Sequence, residues 1–252
     1  MPDLSRTTRI AMWSGPRNIS TALMRSFGSR PDCHVSDEPL YAHYLAATGL
    51  DHPQAAEIME RHETDWRTVT ADLSGPTPAG ETVWYQKHMA HHLLPVIDRG
   101  WLAGFAHAFL VREPRAMLAS LVAKLGDARI EDTGLPQQVD IHRWIESETG
   151  VTPPVVDAAD IQSDPAGMVE KLCAALGIEY DTCMLSWDEG PRSTDGCWGP
   201  YWYANTYLST SFTPPVTSRN VLDSMYEGLA EECEGLYAIL AAHRIQTDTP
   251  QA

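Results

Sequence analysis

The residues between Arg9 and Phe27 carry the most specific chemical pattern in the sequence. Arg17 follows a Ser-Gly-Pro turn, and the hydroxyl residues Ser20 and Thr21 stand shortly after it. A fixed cation beside two hydroxyl groups is suited to hydrogen bonding with an anion such as a phosphate. The pattern therefore predicts an anion-binding loop. An ordinary helix cap with a surface arginine beside it would also account for these residues.

The elements on either side of this loop strengthen the anion interpretation. The apolar run Ile10–Trp13 predicts a short buried strand, and Ala22, Leu23, Met24 and Phe27 repeat with the period of a helix. A strand followed by a tight loop and a helix start presents free backbone N–H groups and the positive end of the helix dipole. Both features favour a bound phosphate.

The segment from Pro16 to Thr21, PRNIST, resembles the PRSGTT or PKSGTT loop of sulfotransferases that use 3′-phosphoadenosine 5′-phosphosulfate (PAPS). It is not a Walker A loop, because no lysine precedes the hydroxyl residues. In place of the serine and glycine of that loop this chain has Asn18 and Ile19, so the backbone at Ile19 must be built without a positive φ. The resemblance implies that six residues bind the 5′-phosphosulfate: Pro16, Arg17, Asn18, Ile19, Ser20 and Thr21.

A second motif begins at the apolar run Ala106–Val111, which predicts a buried parallel strand. Arg112 follows it, Pro114 suits the first position of a helix, and Ser120 comes eight residues after Arg112. This arrangement resembles the 3′-phosphate site of PAPS-dependent enzymes, which implies that Arg112 and Ser120 bind that phosphate. The alternatives are that Arg112 forms an ordinary ion pair at the end of the strand and that Ser120 is only a small residue of the helix.

Glu38 is the first candidate for a general base. The sequence Asp37-Glu38-Pro39 follows the predicted strand Cys33–Ser36, and ligands bind at the carboxyl ends of strands in open α/β sheets. One bacterial group of sulfotransferases has a Glu-Pro at this place, and the resemblance implies that Glu38 is the base. Helix capping ahead of the proline is the alternative.

His88 is the second candidate for the base. Thr82–Gln86 predicts a strand that runs into Lys87 and His88, and sulfotransferases often carry Lys-x-His here with the histidine as base. Adjacent residues of a strand point to opposite faces, so both can face one site only if the strand has already ended. In that case His88 and His92 would share one face of a helix. We predict no metal site, because no acidic third ligand stands at a suitable spacing. The candidate catalytic residues are thus Arg17, Glu38, Lys87 and His88.

The segment from Trp187 to Phe212 is rich in aromatic residues and has no regular period. Such a segment predicts either the wall of a ligand pocket or a loop packed over the sheet. Ser209 and Ser211 lie where related enzymes have a serine-rich stretch near the nucleotide, and the resemblance implies that they contact it. After this segment, Val221–Leu240 predicts an amphipathic helix.

Composition excludes several classes of function. The 252 residues carry a formal net charge of −16, which argues against binding to nucleic acid or to an anionic membrane surface. The five cysteines are odd in number and widely spaced, so neither a disulfide framework nor a zinc site is expected. The N-terminal residues contain no apolar core of a signal peptide, and no apolar run is long enough to span a membrane. We therefore expect a cytoplasmic protein.

Strands alternate with helices, which predicts an α/β fold with a mostly parallel central sheet and helices on both faces. The resemblance implies the P-loop-NTPase-like sulfotransferase fold as a single domain over residues 1–252. It further implies in-line transfer of a sulfuryl group from PAPS to a hydroxyl or amine of a small-molecule acceptor, with release of 3′,5′-ADP (PAP) and no metal. A homodimer is possible. Two alternatives stay open: a P-loop-type kinase that uses ATP, and a non-catalytic nucleotide sensor that kept the donor site.

Overall fold

A five-stranded parallel β-sheet forms the centre of the computed structural model, which describes residues 7–214 and 222–246. The strand order is β2-β3-β1-β4-β5, and all four strand pairs are parallel, so the predicted parallel α/β sheet is confirmed. The strands are β1 (Thr8–Ser14), β2 (Cys33–Asp37), β3 (Val83–Met89), β4 (Ala106–Val111) and β5 (Val155–Asp157).

Helices connect the strands and cover both faces of the sheet. Because parallel strands need crossover connections, the chain returns through helical segments after each of the first four strands. The helices are α1 (Ser20–Gly28), α2 (Tyr41–Thr48), α3 (Ala55–Arg61), α4 (Trp66–Ser74), α5 (Pro114–Leu125), α6 (Leu135–Thr149), α7 (Ala158–Ser163), α8 (Pro165–Ala175), α9 (Gly199–Trp202), α10 (Ala204–Tyr207) and α11 (Glu227–Ala241).

Alternate side chains of β1 enter two different cores, as the pleat of a strand requires. Ile10 and Met12 pack with apolar residues of α1 and α8 on one face. Ala11 and Trp13 pack with residues of α4, α5, α6 and α11 on the other. The predicted placement of helices on both faces is therefore confirmed. Burial on both faces also explains why β1 reads as a continuous apolar run.

Helix α5 shows how local sequence places a candidate site residue. Glu113 caps its start by accepting hydrogen bonds from the backbone N–H groups of Arg115 and Ala116, and Pro114 takes the first helical position. The helix ends at Gly126, whose φ of 85° is the left-handed conformation that glycine adopts readily. This fixed start and end set the position of Ser120 along the helix.

Strand β3 is longer than the sequence predicts, and this is a correction. It continues through Lys87 and His88 to Met89, because β1 pairs with it along its full length, down to the pair Ser14 and Met89. A short 3-10 turn, Ala90–His92, follows the strand. The alternative in which His88 and His92 share a helix face is therefore wrong.

The carboxyl ends of β1, β2, β3 and β4 meet at one edge of the sheet, where the loops with the candidate site residues begin. The C-terminal helix α11 starts later than predicted, after a 3-10 turn at Ser224–Tyr226, and Val221 lies outside the described residues. All five cysteines are free thiols. In the described part of the chain, no helix has both the length and the apolar content needed to cross a bilayer.

Candidate functional site

A cavity of about 600 Å³ opens at the carboxyl edge of the sheet. Its volume lies within the usual range for small-molecule and cofactor sites. His88 is the one candidate site residue that does not line it. The candidates in its wall are Pro16, Arg17, Asn18, Ile19, Ser20, Thr21, Glu38, Lys87, Arg112, Ser120, Ser209 and Ser211.

The loop between β1 and α1 forms one wall of this cavity. Asn18 organises the loop, because its side-chain oxygen accepts from the backbone N–H of Ser20 at 2.9 Å and its amide nitrogen donates to the carbonyl of Leu110 at 3.4 Å. Ile19 has a φ of −99°, as a residue other than glycine requires. The left-handed position is instead Arg17, with a φ of 59°. Because the turn is made at Arg17, the loop needs no glycine at Ile19 to reach α1.

Gly15 allows this loop to pack closely against the segment before α6. A Cβ atom at Gly15 would lie 2.2 Å from the carbonyl oxygen of Thr133. No side chain fits at that distance, so the glycine is required for close approach. The loop is therefore held against the sheet from one side by Gly15 and from the other by Asn18.

The two predicted anion motifs meet directly in the cavity. Arg17 Nε donates to Ser120 Oγ at 3.0 Å, although 103 residues separate them. Arg112 donates from its guanidinium to the carbonyl oxygen of Arg17, across 95 residues. Burial lowers the pKa of Arg17 and Arg112, and for Arg17 the neighbouring charge of Arg112 lowers it further. Neither guanidinium forms an ion pair with a carboxylate of the described residues. Two half-buried cations held side by side are suited to binding an anion.

Glu38 lies at the end of β2 in a network of buried charged and polar groups. Lys87 donates from Nζ to Glu38 Oε1 at 2.6 Å, to Asp37 Oδ1 at 2.9 Å and to the hydroxyl of Tyr203 at 2.7 Å. Burial raises the pKa of Glu38, and the adjacent Asp37 charge adds to this, while Lys87 opposes it. For Lys87 burial acts to lower the pKa, but the two carboxylates outweigh it and the pKa is raised. Lys87 thus stays an ammonium ion and keeps two carboxylates together.

His88 points to the opposite face of the sheet, which corrects its assignment as a candidate base. Its ring stacks on Trp13 with centroids 4.7 Å apart, and its Nε2 lies 3.2 Å from Gln86 Oε1. Burial lowers the pKa of His88 to about 3, so the ring is neutral at physiological pH. Because Lys87 faces the cavity, its neighbour in the strand faces away from it. His88 is a core residue.

A wall of tyrosine and histidine rings lines the cavity on the β2 and β3 side, and sequence reasoning did not identify it. Tyr41 stacks on His92 with centroids 4.6 Å apart and planes inclined by 6°, and its hydroxyl lies 2.9 Å from His52 Nδ1. Tyr44 contacts both His91 and His92. The run of three histidines in five residues was the available signal. Within residues 7–214 and 222–246, however, no cluster of potential ligands could hold a metal ion.

These histidines are neutral in the folded protein. Burial lowers the pKa of His91 to about 3 and lowers that of His92 well below its usual value. Burial also lowers the pKa of His52. This side of the cavity therefore offers ring faces and uncharged nitrogen atoms, in contrast to the cationic side formed by Arg17 and Arg112.

The aromatic segment between residues 187 and 212 both lines the cavity and packs in the core. Ser209 and Ser211 line the cavity together with Trp202 and Tyr203. Trp198 is buried behind them and donates from Nε1 to the hydroxyl of Tyr203 at 2.8 Å. Both uses predicted for this segment therefore occur. Tyr203 was missed, because nothing in the local sequence distinguishes it from the neighbouring aromatic residues.

Comparisons with known proteins identify a family for this chain. A family model described as "Sulfotransferase domain" matches residues 8–229. Among curated proteins, "Branched-chain-amino-acid aminotransferase-like protein 2" of Arabidopsis thaliana is 34% identical over 234 residues. That match takes in 93% of this chain, which spans only about 41% of the length of that relative.

Solved structures support the fold. The sulfotransferase domain of a Synechococcus olefin synthase superposes with a TM-score of 0.54 at 19% identity, over 92% of this chain and 96% of that one. A sulfotransferase from Alicyclobacillus acidocaldarius gives a TM-score of 0.50 at 14% identity, over 96% of this chain and 98% of its own. With the family model covering most of the sequence, the chain belongs to the sulfotransferase domain family.

Proposed function

We propose that this chain is an enzyme that transfers a sulfuryl group from PAPS to a hydroxyl or amine of a small-molecule acceptor. Membership of the sulfotransferase domain family supports the reaction class. The observation that carries the choice of donor is the contact between the two anion motifs, in which Arg17 and Ser120 lie 3.0 Å apart beside Arg112. A donor with phosphate groups at both its 3′ and 5′ positions places anions at two points of one site. This cavity offers donors for both.

The donor would be held from two sides. The N-terminus of α1, with Ser20, Thr21 and Arg17, suits the 5′-phosphosulfate, because helix N–H groups, hydroxyls and a guanidinium all donate to anionic oxygen. Arg112 and Ser120 suit the 3′-phosphate. The scheme uses no metal ion, and these side chains together with the dipole of α1 offset part of the negative charge of the donor.

The reaction is a displacement at sulfur. The acceptor oxygen or nitrogen forms a bond to sulfur, the bond from sulfur to the bridging oxygen of the donor breaks, and 3′,5′-ADP leaves with that electron pair. Arg17 neutralises charge that develops on the leaving phosphate, and Glu38 takes the proton from the acceptor. As in phosphoryl transfer, positioning and charge neutralisation account for most of the catalysis.

Glu38 is suited to the role of base. It lines the cavity at the end of β2, and its pKa is raised by burial, which makes the carboxylate a stronger base than an exposed one. Lys87 lies directly behind it, and its charge limits this rise in pKa. The ring wall with Tyr41 and His92 lies beside Glu38 and is the place for the acceptor.

Binding of three nucleotides tests this proposal. Calorimetry on the wild-type chain should give tighter binding of 3′,5′-ADP than of 5′-AMP or ATP, and PAPS should support transfer to a hydroxyl or amine without added magnesium. A preference for ATP, with magnesium-dependent phosphoryl transfer, would support the kinase alternative. Tight binding of 3′,5′-ADP with neither transfer nor donor hydrolysis over a broad acceptor panel would support a nucleotide sensor.

A further inference from the structure

The hydroxyl of Tyr203 contacts both carboxylates at the end of β2. It lies 2.8 Å from Asp37 Oδ2, 2.9 Å from Asp37 Oδ1 and 3.2 Å from Glu38 Oε1. These contacts span about 165 residues of sequence, and Tyr203 reaches them from the turn between α9 and α10. The hydroxyl group of this almost fully buried tyrosine thus contacts the candidate base, Glu38.

The direction of these hydrogen bonds follows from counting donors. Trp198 Nε1 donates to the Tyr203 hydroxyl at 2.8 Å, and Lys87 Nζ donates to it at 2.7 Å. A phenolic oxygen has two lone pairs and one proton. Since both lone pairs are used, the proton has only the carboxylates of Asp37 and Glu38 as acceptors. The hydroxyl is therefore a fixed donor to this carboxylate pair, shared between Asp37 at 2.8 Å and Glu38 at 3.2 Å.

The contacts on Glu38 leave one of its oxygens for the reaction. Lys87 and Tyr203 both meet Oε1, and Oε2 forms no hydrogen bond to any residue in the described ranges. Glu38 lines the cavity, and it adopts a left-handed φ of 43°, which sets the direction of its side chain. Holding one oxygen from behind directs the other toward the acceptor.

We propose that Tyr203 is a positioning residue for Glu38, which together with Lys87 holds Oε1 so that Oε2 faces the acceptor. This inference rests on the function proposed above, in which Glu38 is the base. Tyr203 acts through Glu38 and also connects it to the aromatic segment that lines the donor cavity.

The charges that face Glu38 determine the expected pH dependence. Lys87 from β3 is an ammonium ion, and the carboxyl group of Asp37 from β2 lies beside it. Burial raises the pKa of Tyr41 from α2 and lowers that of His92 from the turn after β3, so both are neutral. The Asp37 charge raises the pKa of Glu38, whereas Lys87 and the hydrogen bond from Tyr203 lower it. Removing the Tyr203 hydroxyl and removing the Asp37 charge should therefore have opposite effects.

The test is the pH profile of kcat for four proteins. A base must be deprotonated, so activity is lost as the pH falls through its pKa. Tyr203→Phe should move this acid limb upward by up to about one pH unit, and so lower kcat by up to about tenfold at pH values below the midpoint of the limb, because a hydrogen bond to the charged form is lost. Asp37→Asn should move the limb downward. Tyr207→Phe removes a hydroxyl that faces Arg25 and Asp195 instead, and should match the wild type.

Affinity for 3′,5′-ADP distinguishes the possible failures. It should stay within about twofold of wild type in Tyr203→Phe, which shows that the donor site is intact. A Tyr203→Phe profile identical to that of Tyr207→Phe, in an enzyme that transfers sulfuryl groups, would overturn the positioning role alone. A wild type without transfer would overturn the proposed function.

A second variant covers the case in which Tyr203→Phe fails to fold. Trp198→Phe keeps the phenol and removes one of the two groups that donate to its oxygen, so the hydroxyl is held less firmly against the carboxylates. The acid limb should then move upward by less than in Tyr203→Phe. An unchanged limb in folded Trp198→Phe would contradict the inference.

Discussion

Replacement of Ser120 tests whether the cavity distinguishes a nucleotide that carries a 3′-phosphate from one that does not. In Ser120→Ala the hydroxyl is lost, and Arg17 Nε loses one acceptor but keeps its place in the loop, while the backbone of α5 keeps a good helix former. A hydrogen bond to a charged group contributes about 1.5–3 kcal/mol, which corresponds to roughly ten- to a hundredfold in affinity. We therefore expect 3′,5′-ADP to bind about ten- to a hundredfold more weakly, and 5′-AMP to bind within about threefold of wild type.

Arg112 is a less selective probe than Ser120, because it also holds the loop. Its guanidinium donates to the carbonyl oxygen of Arg17, which stands in a left-handed conformation. Arg112→Ala should therefore weaken 3′,5′-ADP most strongly and also weaken 5′-AMP by about threefold or more, since the 5′-phosphate loop loses its support. Arg17→Ala should weaken both nucleotides by similar factors, of about ten- to a hundredfold.

Isothermal titration calorimetry with both nucleotides on these variants gives the required affinities. Ser147→Ala is a matched control, because its hydroxyl bonds only to the carbonyl of Trp144 on the surface of α6. It should leave both affinities unchanged. Equal losses for both nucleotides in Ser120→Ala, or a wild type without preference for the 3′-phosphate, would refute the assignment of Arg112 and Ser120 and remove the main support for PAPS as donor.

Four further substitutions test other parts of the structure. Glu38→Gln should lower kcat by roughly 10²–10⁴ with 3′,5′-ADP affinity intact, whereas His88→Ala should lower kcat by less than about tenfold; the reverse order would assign the base to His88. Gly15→Ala should lower the free energy of unfolding by about 1–3 kcal/mol in denaturant titrations and weaken nucleotide binding, because its methyl group would overlap a backbone carbonyl; unchanged values would contradict this packing. Asp195→Ala leaves Arg25 buried and unpaired after the loss of a 2.7 Å ion pair. It should destabilise the fold by about 3–5 kcal/mol and lower Tm by about 6 °C or more in a thermal unfolding scan, and an unchanged Tm would contradict the importance of this pair.

The elements that carry the proposed anion-binding residues could be predicted from sequence because their geometry is local. At Arg17 and again at Arg112, a strand, a turn and a helix start follow one another within a few residues, and each has its own signal in apolar period and turn residues. The contact between Arg17 and Ser120 could be expected only because parallel strands bring these loops to one edge. Its distance required the structure.

The surroundings of the two candidate bases, Glu38 and His88, could not be predicted in the same way, because they depend on contacts between residues that are far apart in the sequence. The strand that carries Lys87 and His88 ends where its pairing with β1 ends, and that register is absent from local propensity. The contact of Tyr203 with Asp37 joins residues 166 positions apart. Neither feature leaves a mark in the surrounding sequence.

The left-handed residues that are not glycine include Arg17 and Glu38, which come just after the carboxyl ends of β1 and β2. For an L-residue this conformation is unfavourable by roughly 1–2 kcal/mol, against a total stability of about 5–15 kcal/mol for a typical domain. Selection for stability alone would place glycine at such positions. Under the proposed function, Arg17 and Glu38 set activity against stability at this edge of the sheet, because a glycine at either position would relieve the backbone and remove a side chain proposed to act in the reaction.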